Sequence, residues 1–214
     1  MRSDDDGDLP SPEGDGVSHG NGIIDEDREL IAGCRRGERA SHFALYSRYA
    51  GKVHGLARRF LGDDQHAEDV TQEVFLRVFR KLADFRGDAR FSTWLFRITV
   101  NSCKNKRRSL DRDGRFDSGR FFQDRRDEEE PPETVLSDRA LGDQIDLALA
   151  ALGEEQRTVL LLKARGELSY REIGDMFGQS ESQVRGKLYR ARKAFRAALE
   201  AVCGEKVAWT EVEV

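Results

Sequence analysis

Residues 181–199 read ESQVRGKLYRARKAFRAAL, and two rows of side chains in this stretch cannot face the same way. Val184, Leu188, Ala191, Phe195 and Leu199 recur at the spacing of one helical face, while Arg185, Lys187, Arg190, Arg192, Lys193 and Arg196 fill the rest of the surface. The spacing predicts a helix that docks by its apolar row and offers its cations to solvent. Arginine meets phosphate oxygens and guanine edges with a fixed two-pronged donor geometry, so a rigidly held basic helix fits nucleic acid. A solvated charged helix would give the same pattern on its own, and the residues before it weigh against that.

Working back, SYREIGDMF (169–177) sets Tyr170, Ile173 and Phe177 on one face, and Gly178-Gln-Ser180 follows as a glycine-containing break. The pattern is helix, turn, helix. Ser180 with Gln183 three positions on makes a capping box, which gives the second helix a defined start. In a helix-turn-helix the first residues of the second helix enter the major groove, which brings Gln183, Arg185, Gly186, Lys187 and Arg190 nearest the bases. Two short helices at this spacing also occur in ordinary bundles.

A net charge of −4 over 214 residues looks wrong for a nucleic-acid binder until it is followed along the chain. Residues 1–30 hold ten acids and two bases, leaving the remainder at +4. Residues 111–133 hold nine acids and five arginines, leaving the rest at +8. Two basic bodies are thus separated by an acidic tether. No apolar run approaches the roughly 20 residues of a membrane span, and the N-terminus lacks a basic-then-apolar signal pattern, so a cytoplasmic protein without membrane insertion is expected. Cys34, Cys103 and Cys203 are odd in number and scattered, and His19, His42, His54 and His66 make no ligand spacing with them. Neither a disulfide framework, nor a metal site, nor a cofactor is expected.

Residues 1–24 are rich in Asp, Gly, Ser and Pro and read as a disordered acidic leader. From 25 to 108 helical periodicity dominates. Leu30, Ile31 and Cys34 mark a first segment, and Phe43, Tyr46, Val53, Leu56 and Phe60 a second. A third, from about 66 to 83, rows up Val70, Val74, Val78 and Leu82 beside Phe75 and Phe79; a fourth, from about 91 to 107, stacks Phe91, Trp94, Leu95 and Ile98. Residues 109–137, with Pro131 and Pro132, read as a flexible acidic linker. A second body spans 138–202, with Leu141, Ile145, Leu149 and Leu152 on its first helix, and 203–214 form a tail. The fold class is all-α: two small helical domains, the second with a helix-turn-helix.

Opposite its aromatic row the fourth helix presents Arg97, Asn101, Lys104, Asn105 and Arg108, a stripe suited to a phosphate track with occasional base contacts. Just before it, FRGDARF (85–91) is a loop with a glycine for close backbone approach, two cations and two aromatic rings. Rings beside cations are what unstacked bases stack on, yet rings at helical spacing are more often core. The rings are therefore assigned mainly to the core and the loop's polar and backbone groups to a ligand. On the third helix Asp63, Asp64, Glu68, Asp69 and Glu73 suit the helix dipole, and Asp69, Gln72, Glu73 and Arg77 share a flank that could grip another protein.

With these motifs in hand, the sequence resembles an RNA polymerase sigma factor of the extracytoplasmic-function (ECF) group, in its two-domain form. DVTQEVFLRV (69–78) is similar to the family's core-polymerase-binding helix, FRGDARFSTWLFRITVN (85–101) to its promoter-melting segment, and LSYREIG (168–174) with VRGKLYRAR (184–192) to the helix-turn-helix that reads the upstream element. The three cover most of 27–200 in the family's order. The resemblance implies an alternative sigma factor that is not an enzyme, with core RNA polymerase and promoter DNA as partners, together with an anti-sigma factor. It gives Asp69, Gln72, Glu73 and Arg77 to the polymerase. It gives Phe85, Arg86, Gly87, Asp88, Ala89, Phe91, Asn101 and Lys104 to the −10 element, whose flipped base the loop would hold. To the −35 major groove it gives Gln183, Arg185, Gly186, Lys187, Tyr189 and Arg190.

The chain departs from the family pattern at Leu152-Gly153, where Leu-Pro is common, and at Ser180-Glu-Ser-Gln183, where Pro-x-Gly-Thr is common; the −35 preference is therefore open to change. No nucleophile-base set, Walker loop or metal spacing supports an enzyme. A free-standing helix-turn-helix repressor or activator and a protein-only adaptor are the rival classes.

Overall fold

The computed structural model describes residues 27–112, 133–166 and 168–204. Among these it contains α1 (Arg28–Arg35), α2 (Arg39–Leu61), α3 (Asp64–Lys81), a 3-10 turn (Leu82–Asp84), α4 (Phe91–Arg112), α5 (Glu133–Ala150), α6 (Glu154–Arg165), α7 (Tyr170–Phe177) and α8 (Glu181–Cys203). No strand occurs among the described residues. The leader, the middle of the expected linker and the tail with Trp209 lie outside them.

The first lobe, α1 to α4, forms where apolar rows meet. Leu45, Val53, Leu56 and Phe60 of α2 close on Val70, Val74 and Val78 of α3 and on Leu95, Phe96 and Val100 of α4, all at most 1% exposed. Each such side chain stabilises the lobe by about 1.5–3 kcal/mol before entropy is counted. Asp63 caps α3 by accepting the His66 amide at 2.6 Å. α1 is fastened by Asp27, which accepts from the Tyr49 hydroxyl and pairs with Arg48.

Three expectations need correction here. Phe43 is 73% and Tyr46 42% exposed; the buried row of α2 is Leu45, Tyr49, Val53, Leu56 and Phe60, and Phe43 lies on the opposite side. α4 runs to Arg112, past the expected boundary at 109, because Leu110 continues the buried row of Phe96, Val100 and Cys103. The helix after the linker likewise begins at Glu133 and not near 138.

In the second lobe, Leu149 of α5, Leu162 of α6, Ile173 of α7 and Val184 and Leu188 of α8 make the core. Leu141 departs from its expected row and is 51% exposed. α8 ends at Cys203, whose thiol donates to Gln144 at 3.4 Å, so the turn of α5 that carries Leu141 runs past its partner. The corner between α5 and α6 is locked by Arg157, which is 3% exposed and donates to the carbonyls of Leu149, Ala150 and Leu152 at 2.7, 2.7 and 3.1 Å. Ala150 ends α5 and Leu152 lies in the turn after it, while the Leu149 carbonyl also accepts the Leu152 amide at 3.2 Å.

The two bodies are not held apart. α2 packs on α6 and α4 on α7, and the buried cluster is continuous from one lobe to the other.

Candidate nucleic-acid interface

Two capping boxes shape the helix-turn-helix. Ser169 and Glu172 start α7, and Ser180 and Gln183 start α8, each by reciprocal side-chain and backbone hydrogen bonds. The turn between them is tight because Gly174 carries no side chain: a Cβ there would lie 2.4 Å from the Gln179 carbonyl oxygen. Val184, Leu188, Ala191 and Leu199 are at most 4% exposed, so α8 is seated by the row read from its spacing.

The opposite face of α8 is available. Tyr189 is 70% exposed, and Arg185 and Arg190 stand in solvent. Arg185 lies over the Tyr170 ring at 5.1 Å, which steers its guanidinium without consuming its donors. Lys187 is less free: it donates to Glu155, whose carboxyl that bond holds below the usual range. Gly186 keeps the surface low between Arg185 and Arg190. Gln183 is partly committed, because its Oε1 accepts from the Ser180 amide at 2.8 Å.

In the first lobe, Phe85 and Phe91 are 8% and 0% exposed and pack edge to face at 5.9 Å, with Trp94 5.2 and 5.8 Å from them. Both rings are core, and they hold the loop from behind. Arg86, Gly87 and Asp88 are exposed, Ala89 is half-buried, and Gly87 has φ +81°, a left-handed conformation that a side chain would strain. Residues 84–89 form one wall of a cleft of about 740 Å³ whose floor includes Thr93, Trp94 and Arg97. Asn101 is exposed one turn beyond Arg97 on α4, outside that lining.

Sequence reasoning did not find Arg35. From the end of α1 it donates to the carbonyls of Leu82 (3.2 Å) and Phe85 and so anchors the start of the loop. Nothing in its local pattern distinguishes it from any cation in a last helical turn.

On α3, Asp69, Gln72 and Glu73 are exposed and Arg77 half-buried. Glu73 pairs with Arg77 at 3.0 Å, Gln72 donates to Glu68 at 3.3 Å, and Asp69 receives Lys106 of α4 at 3.2 Å. Leu76, 58% exposed on the same helix, lies off the buried row of Val70, Val74 and Val78 and carries no periodic mark of its own.

Among the described residues no group of His, Cys, Asp and Glu is placed to hold a metal, and no helix is long and apolar enough to cross a membrane. Cys34 and Cys103 are buried, and burial pushes the Cys103 thiol up to about 12.

Comparison with known proteins accounts for both lobes. Residues 45–113 match the family model described as Sigma-70 region 2, and residues 142–195 match Sigma-70, region 4. The RNA polymerase sigma-H factor of Pseudomonas aeruginosa is 34% identical over 189 residues, 85% of this chain and 97% of that protein. The ECF RNA polymerase sigma-E factor of Escherichia coli is 31% identical, covering 78% and 91%. Among solved structures, CnrH in complex with the cytosolic domain of CnrY aligns over 82% of this chain and 97% of its own, with a TM-score of 0.63 and 26% identity. The sigma factor RpoE of Bartonella quintana, in complex with the anti-sigma factor NepR, shares the fold at a TM-score of 0.54 and 18% identity.

Proposed function

Because the chain belongs to the extracytoplasmic-function group of RNA polymerase sigma factors, we propose a division of labour among its surfaces in promoter-specific transcription initiation. The second lobe reads the −35 element through α8, with Arg185, Tyr189 and Arg190 in the major groove, Lys187 on the phosphates beside it, and Gln183 and Gly186 at its start. The first lobe holds the −10 element on the loop 85–89, backed by Phe85 and Phe91, with Asn101 and Lys104 extending the track along α4. Asp69, Gln72, Glu73 and Arg77 meet core RNA polymerase, with Leu76 at their centre. The chain contributes recognition and base capture, and the polymerase does the chemistry. An anti-sigma factor is a further partner, as NepR is for RpoE of Bartonella quintana.

The observation that carries this reading is the seating of α8. Its apolar row is sealed while its arginines and Tyr189 stand clear, which is the arrangement a groove-reading helix requires. Extruding a base costs a few kcal/mol, and a loop braced by a T-shaped ring pair and the Arg35 anchor is rigid enough to offset that cost by capture.

In-vitro transcription from a genomic library, with this protein added to its cognate core polymerase, tests the whole reading. New start sites preceded by shared −35 and −10 sequences are expected; unchanged start-site choice overturns it. Single variants then separate the surfaces. Glu73→Ala lowers the yield of holoenzyme in a pull-down, Arg190→Ala weakens −35 recognition by about 1–3 kcal/mol if the contact is bidentate, and Asn101→Ala leaves assembly intact while reducing permanganate reactivity of the −10 region.

A further inference from the structure

Several of the polar groups that the first lobe offers to nucleic acid already have acidic partners, and those partners come from the second lobe. Lys104 Nζ is 3.1 Å from Glu154 Oε1 and lies over the Phe177 ring at 6.0 Å. Arg90 Nε is 3.8 Å from Glu172 Oε1, and the Thr93 hydroxyl donates to the same oxygen at 3.0 Å. Gly174, Asp175, Met176, Gly178 and Gln179, at the end of α7 and its turn, form the far wall of the cleft whose near wall is the loop 84–89. In this state the helix-turn-helix lobe covers one side of the base-capturing loop.

A second clasp closes the lobes elsewhere without using any residue assigned to DNA. Arg59 of α2 donates to Asp146 and to the Gly142 carbonyl at 3.2 Å, and Arg58 approaches Asp146 at 3.8 Å. Asp146 is 4% exposed, so this pair is shielded from salt, whereas the glutamate contacts on the DNA side are half-open to solvent and exchangeable. A carboxylate 3–4 Å from a lysine or arginine presents the same charge and acceptor atoms as a backbone phosphate.

We propose that Glu154 and Glu172 act as an internal decoy for the phosphate backbone: they occupy the −10 face from within the chain, so the free protein is closed to single-stranded promoter until its lobes part. This rests on the −10 reading given above. It requires no partner to impose closure. Engagement of the two lobes at separate places on polymerase opens the protein and frees Lys104, Arg90 and Thr93 together.

The test uses the full chain with Cys203→Ser and nitroxides at Ser47→Cys and Ala197→Cys, two exposed positions on α2 and α8; Cys34 and Cys103 are buried and stay unlabelled. Pulsed electron resonance reads the lobe separation, and fluorescence anisotropy reads binding of a −10 non-template oligonucleotide. Glu154→Gln with Glu172→Gln removes the charges; glutamine at the third helical position preserves the α7 capping box, so the lobe still folds. A single short distance in the unmodified chain is expected. The double variant gives a longer, broader distribution and about tenfold tighter oligonucleotide binding, as two charge contacts return to the phosphates. Asp146→Asn, which touches no DNA-facing group, moves both readouts the same way. A long distance in the unmodified chain, or a double variant identical to it in both readouts, overturns the proposal. Lengthening without tighter binding overturns the decoy by way of the −10 reading beneath it, because the lobes then part without exposing a site.

Discussion

Replacing Arg157 by alanine should damage the −35 lobe more than any surface cation would. The guanidinium is 3% exposed and supplies hydrogen bonds to three carbonyls of the α5 end and the turn after it, at 2.7, 2.7 and 3.1 Å. Burial lowers it to about 10, so it remains charged at neutral pH. Three bonds from a charged donor at about 1.5–3 kcal/mol each are offset in part by the desolvation of that charge. Truncation forfeits the bonds and strands the acceptors, at about 1–3 kcal/mol for each one that water does not reach. With the packing of the guanidinium stem lost as well, a net loss of about 3–5 kcal/mol is the result. For a lobe of this size each kcal/mol moves the midpoint by about 4–8 °C, so the second-lobe transition should fall by at least about 10 °C in a circular-dichroism melt. Arg157→Lys should recover little, because an ammonium cannot fork across three carbonyls spread around a helix end. A midpoint within about 3 °C of the parent in Arg157→Ala would refute the assignment of Arg157 as the lock of the α5–α6 corner.

Gly174→Ala sets a methyl 2.4 Å from a backbone oxygen that cannot swing aside, so it should cost about 1–3 kcal/mol and weaken duplex −35 binding in parallel, both measurable on one preparation. Stability should also depend on acid. Burial alone would raise the Glu172 carboxyl, but hydrogen bonds from Ser169 and Thr93, with Arg90 nearby, outweigh burial and hold it below the usual range. A carboxyl depressed in the folded form stabilises that form fully above its ordinary value and loses the contribution as pH falls through the depressed one. The melting midpoint should therefore hold from neutral pH into the ordinary carboxylate range and fall below it. Glu172→Gln should lack that component, and identical pH profiles for the two proteins would contradict it.

Much of the architecture follows from periodicity. The apolar row of α8 and the Ser180–Gln183 capping box stand as the spacing reads, because both depend on neighbours within one or two turns. Phe43 and Leu141 show where that reasoning ends: a row of apolar residues says which face could be buried, and only the neighbouring helix says where the burial stops. The extension of α4 into the acidic stretch was hidden because Leu110 is a single apolar residue among charges. Contacts across the lobes were illegible for a different reason. Arg59 and Asp146 are 87 residues apart, and an arginine beside another arginine carries no mark of a distant acid. Arg157 left no local signal either: it follows Glu154, Glu155 and Gln156 and reads as one more charge at a helix start. The exposure of the α8 residues proposed to meet DNA follows from spacing alone, whereas the part of Lys104 in the lobe contact depended on Glu154, which no local pattern ties to it.

With Gln183 as the first residue of α8 proposed to meet a base, the reciprocal bonds at the start of that helix narrow what it could distinguish. Gln183 spends its carbonyl oxygen on the Ser180 amide, leaving only the two amide hydrogens facing outward. Recognition of adenine by glutamine needs an acceptor and a donor side by side, and half of that pair is missing while the box is intact. What remains suits base edges that accept, the O6 and N7 of guanine or the O4 of thymine. On the proposed reading, changing the helix start, and not only its exposed face, alters which upstream sequences are preferred.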